Sequence, residues 1–127
     1  MATSVLLSIK PEFVERILNG SKQFEFRRRV FKRPNVNKIV IYATAPISKV
    51  IGEFEIEGII ECDIEYLWQQ THEFSGIQKS YFEAYFNGLE TGYAIRIGKV
   101  SVYDEPLSLQ DDLNVKHAPQ SFVYVNM

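Results

Sequence analysis

The spacing of apolar residues changes along the chain, and each change marks an element. Val5–Ile9 is a short apolar run that predicts a strand. Pro11 then opens a helix, where a missing N–H costs no hydrogen bond, and Glu12 and Glu15 suit the helix's positive end. Phe13, Val14, Ile17 and Leu18 recur at helical spacing, and Asn19-Gly20 ends the helix with a residue free to turn left-handed. From Gln23 the period becomes two. Phe24 and Phe26 alternate with Gln23, Glu25 and Arg27, so the rings are expected on the core and the charges in solvent.

Pro34-Asn35 breaks the chain before a predicted strand over Lys38–Thr44, and a longer one follows over Lys49–Glu61. In the latter, Phe54 and Ile56 alternate with Glu53, Glu55 and Glu57, and Gly52 and Gly58 are expected bulge sites. Asp63 suits the N-cap of a helix reaching about His72, packing Ile64, Leu67 and Trp68. After Ser75-Gly76 a second helix is expected to Phe86, stopped by Asn87-Gly88. Gly92–Val102 reads as a strand, Ser108–Leu113 as a helical turn, and Ser121–Val125 as a closing strand. Short strands with grouped helices predict an α+β fold or a partly open barrel rather than a doubly wound parallel sheet.

Composition adds limits. A chain of 127 residues, 46% hydrophobic and 24% charged, is expected to form one folded domain over residues 1–127. Cys62 is the lone cysteine, so no internal disulfide is possible. Met1-Ala2-Thr3-Ser4 lacks the basic and apolar segments of a signal peptide, and no run nears the roughly 18 apolar residues of a spanning helix. A cytoplasmic location and no membrane partner are the expectation. The net charge of -2 hides segregation: Lys22–Lys38 carries seven cations against Glu25, whereas Glu53–Glu90 carries nine acids against Lys79. Such asymmetry suggests a basic face for an anionic partner.

Several chemistries find no support. There is no Gly-rich phosphate loop and no Gly-x-Ser-x-Gly elbow. His72, His117 and Cys62 are too few and scattered for a zinc site, so neither metal nor cofactor is expected. The segment Gly20–Arg27 is more informative. By strict alternation Glu25, Arg27 and Arg29 share a face, and Lys22 falls on the other unless the turn continues through it. Arginine forks bind phosphate, and a nearby carboxylate can orient an arginine or accept a hydrogen from a base edge. The competing reading is a solvated edge strand with a surface ion pair. Arg28, Lys32 and Arg33 extend the basic patch, which would give affinity and salt dependence without sequence selectivity.

Tyr81, Phe82, Tyr85 and Phe86 have the spacing of a helix's buried face, with base stacking as the alternative. His72 and Glu73 are helical neighbours that point apart, and Cys62 reads as a small buried hydrophobe.

These residues carry a resemblance. Ser8-Ile9-Lys10-Pro11 followed by Gly20-x-Lys22-x-x-Glu25-x-Arg27 resembles the signature of the ASCH domain. Ile41-Tyr42-Ala43-Thr44 and Gly92-Tyr93-Ala94-Ile95-Arg96-Ile97 are similar to two of its later strands. The resemblance implies a PUA-like, partly open β-barrel with peripheral helices and a cleft between them. It also implies a ligand that is RNA, another nucleic acid or a nucleotide. Lys22, Glu25 and Arg27 map onto the motif, and Ser8, Lys10 and Thr44 onto the cleft wall. Some small bacterial members are amidohydrolases acting on 4-acetylcytidine, and others are ribonucleases. The amidohydrolases carry threonine where this chain has Glu25, and a second catalytic glutamate for which Glu73 is the nearest counterpart.

Three functions therefore compete. The first is a nucleic-acid or nucleotide binder using Ser8, Lys10, Lys22, Glu25, Arg27, Arg28, Arg29, Lys32, Arg33 and Thr44. The second is a small-substrate hydrolase with Lys22 as base, Glu25 holding it or a water, and Glu73 as a further acid–base group. The third is an interaction module using the acidic region of residues 53–90, including Glu55 and Glu57.

Overall fold

Residues 3–127 are described by a computed structural model. In chain order the elements are β1 (Thr3–Ile9), α1 (Pro11–Leu18), β2 (Phe24–Arg27), β3 (Lys38–Ala43) and β4 (Lys49–Asp63). There follow α2 (Ile64–Thr71), a 3₁₀ turn (His72–Phe74), α3 (Lys79–Tyr85), β5 (Thr91–Leu107), α4 (Leu109–Leu113) and β6 (Val123–Asn126). The strands form one mixed sheet in the order β2-β5-β4-β3-β1-β6, with β1 parallel to β3 and the other pairs antiparallel.

The sheet does not close. Among the described residues β6, expected to close a barrel, pairs only with β1 and forms one end of the sheet, while β2 forms the other. β5 runs five residues past the expected Val102 end, because its ladder with β4 continues to the Val50–Leu107 pair. Register shifts at Val50/Gly52 and Ile56/Gly58 put both expected glycines at bulges, which bend this long β4–β5 arm.

The Val5–Leu7 run of β1 is apolar because both faces of the strand are covered there. Val5, Leu7 and Ile9 pack with Ile39, Ile41 and the α1 residues Val14 and Ile17; Leu6 faces the other way, with Val40, Val50, Leu109 and Val125. A third cluster joins Phe24 and Phe26 of β2 to Leu67 of α2, Phe82 of α3 and Phe86 just past its end. Phe26 meets Phe82 edge-on at 5.3 Å, the geometry preferred by two quadrupolar rings. The Asp63 carboxylate caps α2 by accepting from the Tyr66 amide at 2.9 Å. Cys62 is partly buried at the edge of this third cluster rather than fully enclosed. No helix among the described residues is long and apolar enough to cross a membrane.

Candidate functional site

α1 leaves the end of β1, and the chain then turns back through Gly20 (φ +86°) into β2. The end of β1, α1, β2 and α3 enclose a cleft of about 170 Å³. Ser8, Lys10, Lys22, Glu25, Arg27, Tyr81 and Tyr85 line it, together with the apolar Ile9, Phe13, Phe26 and Ile77.

Lys22 is only 2% exposed, and it enters the cleft despite the pleat rule. That rule applies within a strand, and Lys22 lies two residues before β2 begins. Its Nζ donates to the Ser75 carbonyl at 3.0 Å and sits between the rings of Phe13 and Phe26, at 5.3 and 5.0 Å from their centroids. The loop receiving it is fixed by Arg16, which donates to the Gly76 carbonyl at 2.8 Å, and by the Gln23 amide, which donates to Phe74 at 2.8 Å. Gly76 has φ +69°, and a Cβ there would meet the Lys22 Cβ at 2.5 Å. Burial pushes the Lys22 ammonium down from 10.5 to about 8; Glu25 opposes the shift, and Arg16 and Arg27 add to it.

Glu25, expected in solvent, is 7% exposed. Phe24 and Phe26 do occupy the core as expected, but the opposite face of β2 is covered as well. There Arg27 Nη2 contacts Glu25 Oε2 at 3.2 Å and donates to the Ser8 carbonyl at 3.0 Å. Arg27 Nε is buried with no protein partner among the described residues. A buried donor left unpaired carries a desolvation cost.

The remaining candidates separate. Ser8 and Lys10 line the cleft, with Ser8 Oγ donating to the Pro119 carbonyl at 2.8 Å and Lys10 Nζ 5.2 Å from the Tyr81 ring. Thr44, half-buried beyond β3, is not among the lining residues; its amide donates to the Ile9 carbonyl. Glu73 is exposed on the 3₁₀ turn, also outside the lining. Arg29, expected to share a face with Glu25 and Arg27, lies past the end of β2 and is exposed. It lines a neighbouring depression with Arg27 and Arg28. Lys32 and Arg33 lie beyond the cleft and are exposed. Lys38 leaves the basic patch altogether, because its ammonium pairs with Glu53 at 3.1 Å.

The aromatic stripe on α3 divides. Phe82 and Phe86 are 1% exposed in the core, whereas Tyr81 and Tyr85 lie nearly parallel (9°) on the cleft side. Helical spacing could not separate them. Their chemistry could have done, since a phenol favours a position with one wet end. No grouping of three or more His, Cys, Asp or Glu among the described residues is arranged to hold a metal.

An open mixed sheet with helices packed over β2 and a cleft beside them defines an α+β, PUA-like fold. The ASCH domain matches residues 7–101, and the chain belongs to the ASCH family. It is 35% identical over 89 residues to an ASCH domain-containing ribonuclease of Zymomonas mobilis, a match covering 70% of this chain and 60% of that protein. The crystal structure of ASCH from Zymomonas mobilis superposes with a TM-score of 0.87 at 29% identity, covering 97% of this chain and 87% of the other. A third relative is the ATP synthase subunit alpha of Ureaplasma parvum, 30% identical over 124 residues, which are 96% of this chain and 15% of that protein. The chain thus spans less than two thirds of both of these curated relatives.

Proposed function

We propose that the chain binds RNA, or a nucleotide of RNA, in this cleft. The observation that carries the reading is the convergence of Lys22, Glu25 and Arg27 beside Tyr81 and Tyr85. Two cations and one carboxylate offer donors and an acceptor to a base edge or phosphate, and the tyrosine rings offer a stacking wall. The volume suits one ring system, being small beside the roughly 300–1,000 Å³ of pockets for drug-sized ligands. The ribonuclease name of the 35%-identical relative supports RNA as the class. Fluorescence anisotropy with short labelled RNAs tests it: affinity should fall steeply with added salt. Absence of binding at low salt, to oligonucleotides and nucleotides alike, would sink the reading.

A second reading is phosphodiester hydrolysis, favoured by the Lys22 value near 8. An amine partly neutral at physiological pH can take a proton from a water whose oxygen bonds to phosphorus as the bond to the leaving ribose oxygen breaks. The ammonium so formed returns that proton to the leaving oxygen, and Arg27 holds the phosphate charge. Glu25, held by Arg27, offers no hydroxyl where the 4-acetylcytidine amidohydrolases carry threonine, so phosphodiester cleavage fits better than amide cleavage. Cleavage of RNA that rises with pH through about 8 and disappears in Lys22→Ala supports this reading; cleavage surviving that substitution removes Lys22 from it.

A further inference from the structure

The cleft does not end at Arg27. That residue and Tyr85 also line the adjoining depression, which in turn shares Arg28, Arg29 and Ser121 with a third. The three hollows thus adjoin one another in a row from the cleft toward β6. Among the described residues no acidic side chain lines either of the outer two.

Each end of this extension carries the same pairing. At the near end the Arg28 guanidinium lies over the Tyr85 ring at 4.5 Å, and Arg28 Nε donates to the Tyr85 carbonyl at 2.8 Å. At the far end the Arg33 guanidinium lies over the Tyr124 ring at 3.9 Å. The Tyr124 hydroxyl there accepts from the amides of Lys32 and Arg33, at 3.3 and 3.1 Å. Phe122 braces Tyr124 edge-on at 5.6 Å and also contacts Phe31. These contacts order exposed arginines before any ligand arrives, lowering the entropy lost on binding. A guanidinium plane stacked on a ring keeps its outer face for a base and its edge for a phosphate.

We propose that the ligand is a single strand several nucleotides long, with one residue in the cleft and its neighbours along the Arg28–Arg33 groove toward Tyr124. The proposal rests on the cleft reading above and extends it from a nucleotide to a polymer. Cations at intervals match phosphates at intervals, and the two arginine–tyrosine pairs offer planar surfaces at both ends. A free nucleoside would leave this extension unused.

The test compares mononucleotides of adenosine, cytidine and uridine with the matching homohexamers, by calorimetry across a salt series. The best hexamer should bind at least about tenfold more tightly than its mononucleotide, because a stacked base and added phosphate contacts contribute that much. Arg33→Glu and Tyr124→Leu should each narrow that ratio. Arg33 is exposed, so its substitution reads the groove even if Tyr124→Leu weakens the fold. Equal affinity for mononucleotide and hexamer overturns the groove and leaves the cleft reading standing. So does a hexamer preference that neither substitution changes. If neither ligand binds, the cleft reading fails and the groove fails with it.

Discussion

Arg27 is held to Glu25 by a contact of 3.2 Å, and its own buried Nε finds no acceptor among the described residues. Glu25 also sustains the charge on Lys22, opposing the effect of burial. Glu25→Gln should therefore lower the Lys22 value below about 8, since the neutral amide no longer favours the ammonium. Lysine-selective NMR titration reads this directly; an unchanged midpoint would uncouple the two residues.

Lys22 should make stability rise with pH. Its folded value lies below its unfolded one, so the unfolded chain binds the extra proton between about 8 and 10.5. The burial cost is fully felt below about pH 8 and is relieved as pH climbs toward 10.5. Between pH 7 and 9.5 this contributes about 2 kcal/mol. Lys22→Met should be the more stable protein at pH 7 and lose most of that advantage by pH 9.5. Urea denaturation at both values measures it, and parallel profiles for the two proteins would contradict the burial account.

Gly76→Ala tests the loop that seats Lys22. The left-handed backbone and the contact with Lys22 Cβ both oppose a side chain. A loss of about 2 kcal/mol or more is expected from the strained backbone and the clash together. RNA affinity should fall as well, because the lysine must shift. Unchanged affinity would show that the ligand does not need Lys22 where it stands.

The divided stripe on α3 gives paired expectations. Phe82→Ala should cost about 3–5 kcal/mol, as for other buried phenylalanines. Tyr81→Leu and Tyr85→Leu should be much milder in thermal denaturation while weakening RNA about tenfold each through lost stacking. If the tyrosine substitutions destabilise the protein as much as Phe82→Ala does, or leave RNA affinity unchanged, the division is wrong.

Much of the scaffold was legible because local rules set it. Pro11, Gly20 and Asp63 mark helix ends by their own backbone and capping chemistry. Gly52 and Gly58 mark the bulges of β4 for the same kind of reason. The cleft was only partly legible. Lys22, Glu25 and Arg27 stand out as a charged trio, but alternation assigns Lys22 to the wrong side and Glu25 to solvent. Both are buried by groups distant in sequence, Ser75 and Gly76 for Lys22 and the end of β1 for Glu25. The far end of β5 was missed because its residues beyond Val102, which is itself 59% exposed, carry no core pattern; pairing with β4 keeps them extended.

The pairing of β1 with β6 sets Thr3 directly across from Asn126. Strands at this spacing lie about 5 Å apart, so the polypeptide enters and leaves the fold at nearly one point. A unit with adjacent ends behaves as a cassette: a surface loop of another protein can carry it without being pulled open. For the same reason, a short linker joining the two ends and a new opening at Pro34-Asn35 should yield a permuted chain that still folds around the same cleft.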